Sequence, residues 1–303
     1  MTPGQKLPKT KLYAALVALL LTLQGCASTA YVQAQSERLV PVKLRSLGPQ
    51  LQESSGLAQI DDLLWSMNDS DGAPELVWID LEADRSGSVA LNGATNFDWE
   101  ALASNNEQLF LLDCGNNRGD RIWLQLYSID RAELKQGEVD VVASDFRYAD
   151  VPYEVARRAH NNDCEAAAWV NDRIWLFTKN WQDQQTRIYK LTPGLERQQL
   201  ITQQSLNVAG LITGADYSSE HQMLALLGYG KGVRVLQPFI WLAPLIDGEL
   251  RWEEAKRYEL TLSGQWEAIL WQGDQLLLTR EESILGDAQV AQVQLPVAAL
   301  NHQ

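Results

Sequence analysis

Cysteine, histidine and methionine number three each in 303 residues, which leaves little material for soft-metal or imidazole chemistry. His160, His221 and His302 have no zinc-ligand spacing, so a catalytic zinc site is not expected. No GxSxG elbow and no GxxxxGK[ST] loop occurs, which removes the serine-hydrolase and nucleotide-loop templates. Basic residues are scarce: 25 Lys plus Arg stand against 39 Asp plus Glu, for a formal charge of −14. Such a chain repels nucleic acid at long range, and no nucleic-acid partner is expected. Long apolar runs are also missing. The longest, Leu12–Leu23, falls short of the roughly 20 residues that span a bilayer as a helix. NDSDG has the look of a calcium loop, but Met67 stands at its first ligand position.

What is present begins with an address. Lys6, Lys9 and Lys11 precede that short apolar run, the order of a secretory signal. The run ends Leu23-Gln24-Gly25-Cys26, which resembles the lipobox of bacterial lipoproteins. The resemblance implies a signal peptide over 1–25 and lipidation of Cys26. A small, polar tether through residue 38 and a folded domain over 39–303 would follow. Ala27 after the cysteine favours the outer membrane, so the expected location is the cell envelope.

Five segments then align without gaps: SGLAQIDDLLW, EALASNNEQLF, EAAAWVNDRIW, GADYSSEHQML and EAILWQGDQLL. They start at Ser55, Glu100, Glu165, Gly214 and Glu267. Each carries a small residue, then a polar turn, then a large apolar residue, so each reads as a strand hairpin. The intervals each hold two more strand candidates, such as ELVWIDLE and GSVALNGA, or RIWLQLYSID and VDVVASDFRY. Four strands at this period make the blade of a β-propeller. The fold expected is all-β: one propeller of five four-stranded blades, or six if one is degenerate. LVPVKLRSL, from the N-terminal side, is expected to complete the last blade.

The phrases ESSGLA, WSMNDSDG, FDWEALA, LLDCGNNRGDR, NNDCEAAAW and ITGADYS resemble a group of bacterial secreted propellers. That group is similar in pattern to the phytase-like, esterase-like and SdiA-regulated propeller families. The resemblance implies a propeller in the envelope and carries no single activity.

In a blade, the loop entering the inner strand and the loop leaving the second strand lie on one face. The entering loops carry Glu53, Asp98, Asn161, Asn162 and Asp163; the leaving loops carry Asn68, Asp69, Asp113, Asn116, Asn117, Arg118, Lys179, Asn180, Tyr229, Arg280 and Glu281. Together they predict an acidic, Asn-rich channel mouth. Glu100, Glu165 and Glu267 recur at one blade position and could bind Ca²⁺, act as acid and base, or serve structure. Two functions fit. One is a module binding an envelope partner or small ligand; the alternative is a Ca²⁺-dependent hydrolase of an ester, lactone or phosphoester. The few cations expected there, Arg118, Lys179 and Arg280, weigh against a phosphoester. His160 is expected to be a surface residue. Cys114 and Cys164 leave and enter adjacent blades on the same face, and with Cys26 lipidated they are expected to pair in an oxidising compartment.

Overall fold

The computed structural model describes residues 37–70, 72–230 and 237–300. The leader, Cys26 and the tether up to residue 36 lie outside the described residues. The chain enters through two short strands, β1 (Arg38–Leu39) and β2 (Val42–Ser46). Blade I follows as β3 (Ser54–Ile60), β4 (Leu63–Asn68), β5 (Glu75–Asp80) and β6 (Arg85–Asn92). Blade II is β7 (Trp99–Ser104), β8 (Gln108–Asp113), β9 (Leu124–Asp130) and, after the short β10 (Glu138–Asp140), β11 (Val142–Tyr148). Blade III is β12 (Asp163–Val170), β13 (Arg173–Lys179), β14 (Thr186–Leu191) and, after β15 (Arg197–Leu200), β16 (Gln204–Leu206). Blade IV is β17 (Leu211–Ser218), β18 (Met223–Gly230), β19 (Gln237–Ile246) and, after β20 (Glu249–Leu250), β21 (Lys256–Leu260). Blade V is β22 (Trp266–Gln272), β23 (Gln275–Arg280) and β24 (Gln289–Gln294), completed by β2. The architecture is a five-bladed β-propeller closed by its N-terminal strand, as the sequence leads one to expect.

Side chains alternate across each blade, so every inner pair feeds two interfaces. Leu109 and Leu111 of β8 join the apolar layer between blades I and II, while Phe110 and Leu112 join the layer between II and III. Five such layers, one per interface, make up the core. Small residues on the inner strands follow from crowding at the axis. A Cβ at Gly56 would lie 2.8 Å from the Leu102 nitrogen, and one at Gly214 would lie 3.1 Å from the Glu267 carbonyl oxygen.

Two candidate strands break where the sequence reads as continuous. LVPVKLRSL divides at Val40-Pro41: Leu39 pairs in parallel with β21 of blade IV, and β2 pairs with β24 of blade V. Proline has no N–H to continue a ladder, which fits the break. VDVVASDFRY divides at Val141, with β10 pairing in parallel to β6 of blade I before β11 joins blade II. In the same way β15 lies on β11 before β16 closes blade III. Three of the blades are thereby laced to the outer edge of the blade before them.

Candidate functional site

Every inner pair carries a β-bulge at the same point, between Ser54 and Gly56, Trp99 and Ala101, Cys164 and Ala166, Ile212 and Gly214, and Trp266 and Ala268. The bulged residues are Ser55, Glu100, Glu165, Thr213 and Glu267. A bulge frees one residue from the ladder and re-aims its side chain. Here all five line the axis. The sequence alignment needs one correction: counted from the turn it puts Gly214 in this ring. The blade IV turn is four residues, 219–222, where blade I has two, so the bulge lies one residue further from the middle of the turn and Thr213 takes the place. Ser55 Oγ donates to Glu100 Oε2 at 3.2 Å, and Thr213 Oγ1 donates to the Trp266 carbonyl at 2.7 Å.

A second ring follows from the exits of the second strands. Opposite the bulges pair Asn68, Asp113, Thr178, Gly228 and Arg280. One residue further on stand Asp69, Cys114, Lys179, Tyr229 and Glu281. Alternation sends these two sets to opposite sides, and the second set closes over the axis. Lys179 Nζ donates to Glu165 Oε2 at 2.8 Å, with both side chains buried. It also lies 5.6 Å from the Tyr229 ring and 5.4 Å from the Trp181 ring.

Three expected mouth residues therefore turn away from the channel. Arg280 reaches the Ser263 and Asp287 carbonyls and lies over Trp266 at 5.6 Å. Asn68 accepts from the Glu53 N–H and donates to the Gln50 carbonyl. Asp113 accepts from Arg121 at 2.6 Å and from the N–H groups of Phe97 and Asp98. Asn116 and Asn180 also serve loops: Asn116 closes on Arg121, and Asn180 on Thr178 and Asp183. Glu53 is exposed on the rim. His160 is buried rather than on the surface, its Nδ1 accepting from the Asn162 N–H and its Nε2 facing the Asn117 carbonyl at 3.4 Å.

The acids that do converge are Asp69, Asp98, Asp163, Glu100, Glu165, Glu267 and Glu281, around Lys179. Asp163 is held by the Asn116 N–H and by Trp181 Nε1, each at 2.7 Å. Burial, then the neighbouring Asp98 and Glu267, push Asp69 up to about 8. Burial, then Glu267 and Asp69, push Glu281 up to about 9. Burial and Glu165 raise Glu100 well above its ordinary value, and burial raises Glu267 as well. Burial opposes the charge of Lys179, but Glu165, Tyr229, Glu267 and Glu100 outweigh it and hold the lysine well above its usual range.

One oxygen from each of Asp69, Asp98 and Glu100 lies within 4.8 Å of the others. This set differs from the predicted trio, which shares with it only Glu100, because Glu165 is already engaged by Lys179. Gly115 makes room for it: a Cβ there would lie 2.4 Å from Asp98 Oδ2 and 2.5 Å from Glu100 Oε1. Asp69 Oδ1 is buried and no donor among the described residues reaches it. Asp69 and Asp98 meet acceptor to acceptor, so their contact needs a shared proton or a cation. Below them the axial channel has a water-accessible volume of about 10 Å³, room for about one water. A larger ligand has to sit at the mouth.

Cys114 and Cys164 are bonded, with Cα atoms 5.4 Å apart. Cys114 takes the fifth place of the exit ring, so the bond ties blade II to blade III beside the acids. The sequence reading placed both on this face; it missed Arg121 and Arg157, which lie in connecting segments with no repeat to mark them.

No family model matches the chain, and no curated protein matches it. Similar solved structures include the allergen Mala s 1 of Malassezia sympodialis, 12% identical over 84% of this chain and 95% of that one, TM-score 0.49. A luciferin-regenerating enzyme is 10% identical over 86% and 96%, TM-score 0.49. A calcium-binding regucalcin of Agrobacterium tumefaciens is 13% identical over 86% and 96%, TM-score 0.44. The chain also spans 57% of a hydrazine synthase chain of Kuenenia stuttgartiensis, at 12% identity over 77% of its own length and a TM-score of 0.42. These likenesses concern architecture, and none carries a residue role to this chain.

Proposed function

We propose that this propeller is a small-ligand-binding module of the bacterial envelope, anchored through a lipid on Cys26, whose mouth takes Ca²⁺ between Asp69, Asp98 and Glu100. The carrying observation is the acceptor-to-acceptor contact of Asp69 and Asp98 beside the unpartnered Asp69 Oδ1. A hard cation satisfies all three carboxylates at once, and Ca²⁺ takes six to eight oxygens. Its remaining positions are open to water or to oxygen atoms of a ligand. The narrow channel keeps that ligand on the outer side.

Calcium titration of the purified chain, by calorimetry and by melting temperature, tests the reading. Binding should be lost in the Asp69→Asn, Asp98→Asn double variant. A melting temperature indifferent to calcium and to chelator would overturn it. The anchor is tested separately: Cys26→Ser should abolish fatty-acid labelling, and unchanged labelling would refute it.

One observation favours the hydrolase reading. Asp69 and Glu281, raised to about 8 and about 9, hold protons at neutral pH next to the cationic Lys179. A carboxyl group in that state can act as a general acid. Turnover of a lactone or ester panel that falls with Glu281→Gln would select it.

A further inference from the structure

A cavity of about 300 Å³ adjoins the acids on the same face, lined by Phe97, Asp98, Asn117, Arg118, Arg121 and Arg157 among others. Three guanidinium groups in one hollow are unexpected in a chain of charge −14. Arg121 is fully committed, bonding Asp113 Oδ1 at 2.6 Å and the Gly115 carbonyl at 2.8 Å. Arg118 and Arg157 are exposed and have no acidic or hydrogen-bonding partner among the described residues.

The two free arginines are held by loops that brace each other. Residues 114–123 leave blade II, and residues 149–162 enter blade III; the disulfide joins their bases. Above it, Val155 N–H donates to the Gly119 carbonyl at 3.2 Å, and Arg158 N–H to the Asn117 carbonyl at 2.9 Å. Gly119 has φ +77°, and a Cβ there would lie 2.6 Å from Val155 Cγ2, so this close lacing depends on the glycine. The arginines are therefore presented on a fixed frame.

Beside them Phe97 is 56% exposed, with the Arg121 guanidinium 4.7 Å from its ring centre. An exposed ring thus stands next to unpaired guanidiniums and next to Asp98, which belongs to both the cavity and the carboxylate set. With Arg121 matched by Asp113, the acids lining the cavity, Asp98 and Asp120, balance Arg118 and Arg157 until a cation binds at Asp98. With the cation the hollow becomes net positive.

We infer that this cavity binds a phosphoryl group carried on an apolar or aromatic body, with Arg118 and Arg157 on the phosphoryl oxygens and the body against Phe97. The assignment deepens the proposed binding function and rests in part on its cation. Arginine pairs suit phosphate because the planar fork donates two parallel bonds. Arg118 was already counted among the few cations of this face, and Arg157 is the addition that gives a phosphoryl group two guanidiniums.

The test is calorimetric titration of the full chain with phenyl phosphate, with chelator and then with calcium. Phenyl phosphate should bind, and calcium and phenyl phosphate should each tighten the other by the same factor. The Arg118→Gln, Arg157→Gln double variant should lose about tenfold or more in phenyl phosphate affinity while still binding calcium. Undiminished binding by that variant, or no binding by the parent chain, would overturn the inference and leave the cation reading standing. Arginine-dependent binding that ignores calcium would support the cavity assignment and count against the cation. Benzoate binding as tightly as phenyl phosphate would overturn the phosphoryl assignment.

Discussion

Lys179 Nζ sits 2.8 Å from Glu165 Oε2 at the centre of the propeller mouth, with both groups withdrawn from water. A buried pair of this kind has a net worth near zero against an apolar pair, but a high cost when one partner is removed. Replacing Lys179 by Met should therefore destabilise the fold by about 3–5 kcal/mol in urea unfolding. Adding Glu165→Gln to that variant should restore part of the loss, because the orphaned charge goes with it. A double variant no more stable than Lys179→Met would show that the pair is not what the single change breaks.

The raised acids set a pH dependence. Asp69 near 8 and Glu281 near 9 hold protons in the fold that an unfolded chain releases above about pH 4. The folded state then binds more protons than the unfolded state between those limits, so stability falls as pH rises through this window. Melting temperature without metal should decline from about pH 5 to about pH 9. Asp69→Asn should flatten the decline, and calcium should oppose it most at the alkaline end.

Gly115→Ala tests the carboxylate set by geometry. The added methyl meets Asp98 and Glu100 oxygens at 2.4–2.5 Å and must push them apart. Overpacking of this size costs about 1–3 kcal/mol. Any calcium-induced rise in melting temperature should disappear with it. Retention of the full rise would place the cation elsewhere.

Breaking the disulfide by Cys114→Ser, Cys164→Ser should cost about 4 kcal/mol on the chain-entropy model for a loop of this length. Because the bond also braces the two arginine-bearing loops, amide exchange over 114–123 and 149–162 should rise more than in blades IV and V. Uniform exchange across the ring would mean the loops hold without it.

The five hairpins were legible in the sequence for a steric reason: only small residues fit where neighbouring backbones crowd the axis, as at Gly56 and Ala101. The cysteine pair could be read from its place in adjacent blades. The phase of the strand exits could not. Arg280 and Glu281 are neighbours in sequence, and a period of two sends one to Trp266 and the other to the mouth. Which one goes where depends on a bulge that leaves no residue-type mark, since Ser, Thr and Glu all occupy it. The equivalence of Glu100, Glu165 and Glu267 could be read from the repeat, but the groups around each could not. Lys179 meets Glu165 from the neighbouring strand of the same blade, Asp98 lies two residues before Glu100, and Asp69 arrives from blade I. The split at Val141 was hidden because lacing strands and blade strands share one composition.

The N-terminal strand has a temporal meaning. β2 is made before the strands of blade I, and its partner β24 is the last of the described strands. The ring cannot shut until β24 has been made, and β2 waits unpaired until then. A chain stalled in blade V would present an open blade edge at each end of the arc, ready to pair with another stalled chain. Chaperones that hold unfinished chains before closure would matter more to this protein than to one whose blades each close locally, and their loss should appear as aggregation of newly made chains while protein already folded stays intact.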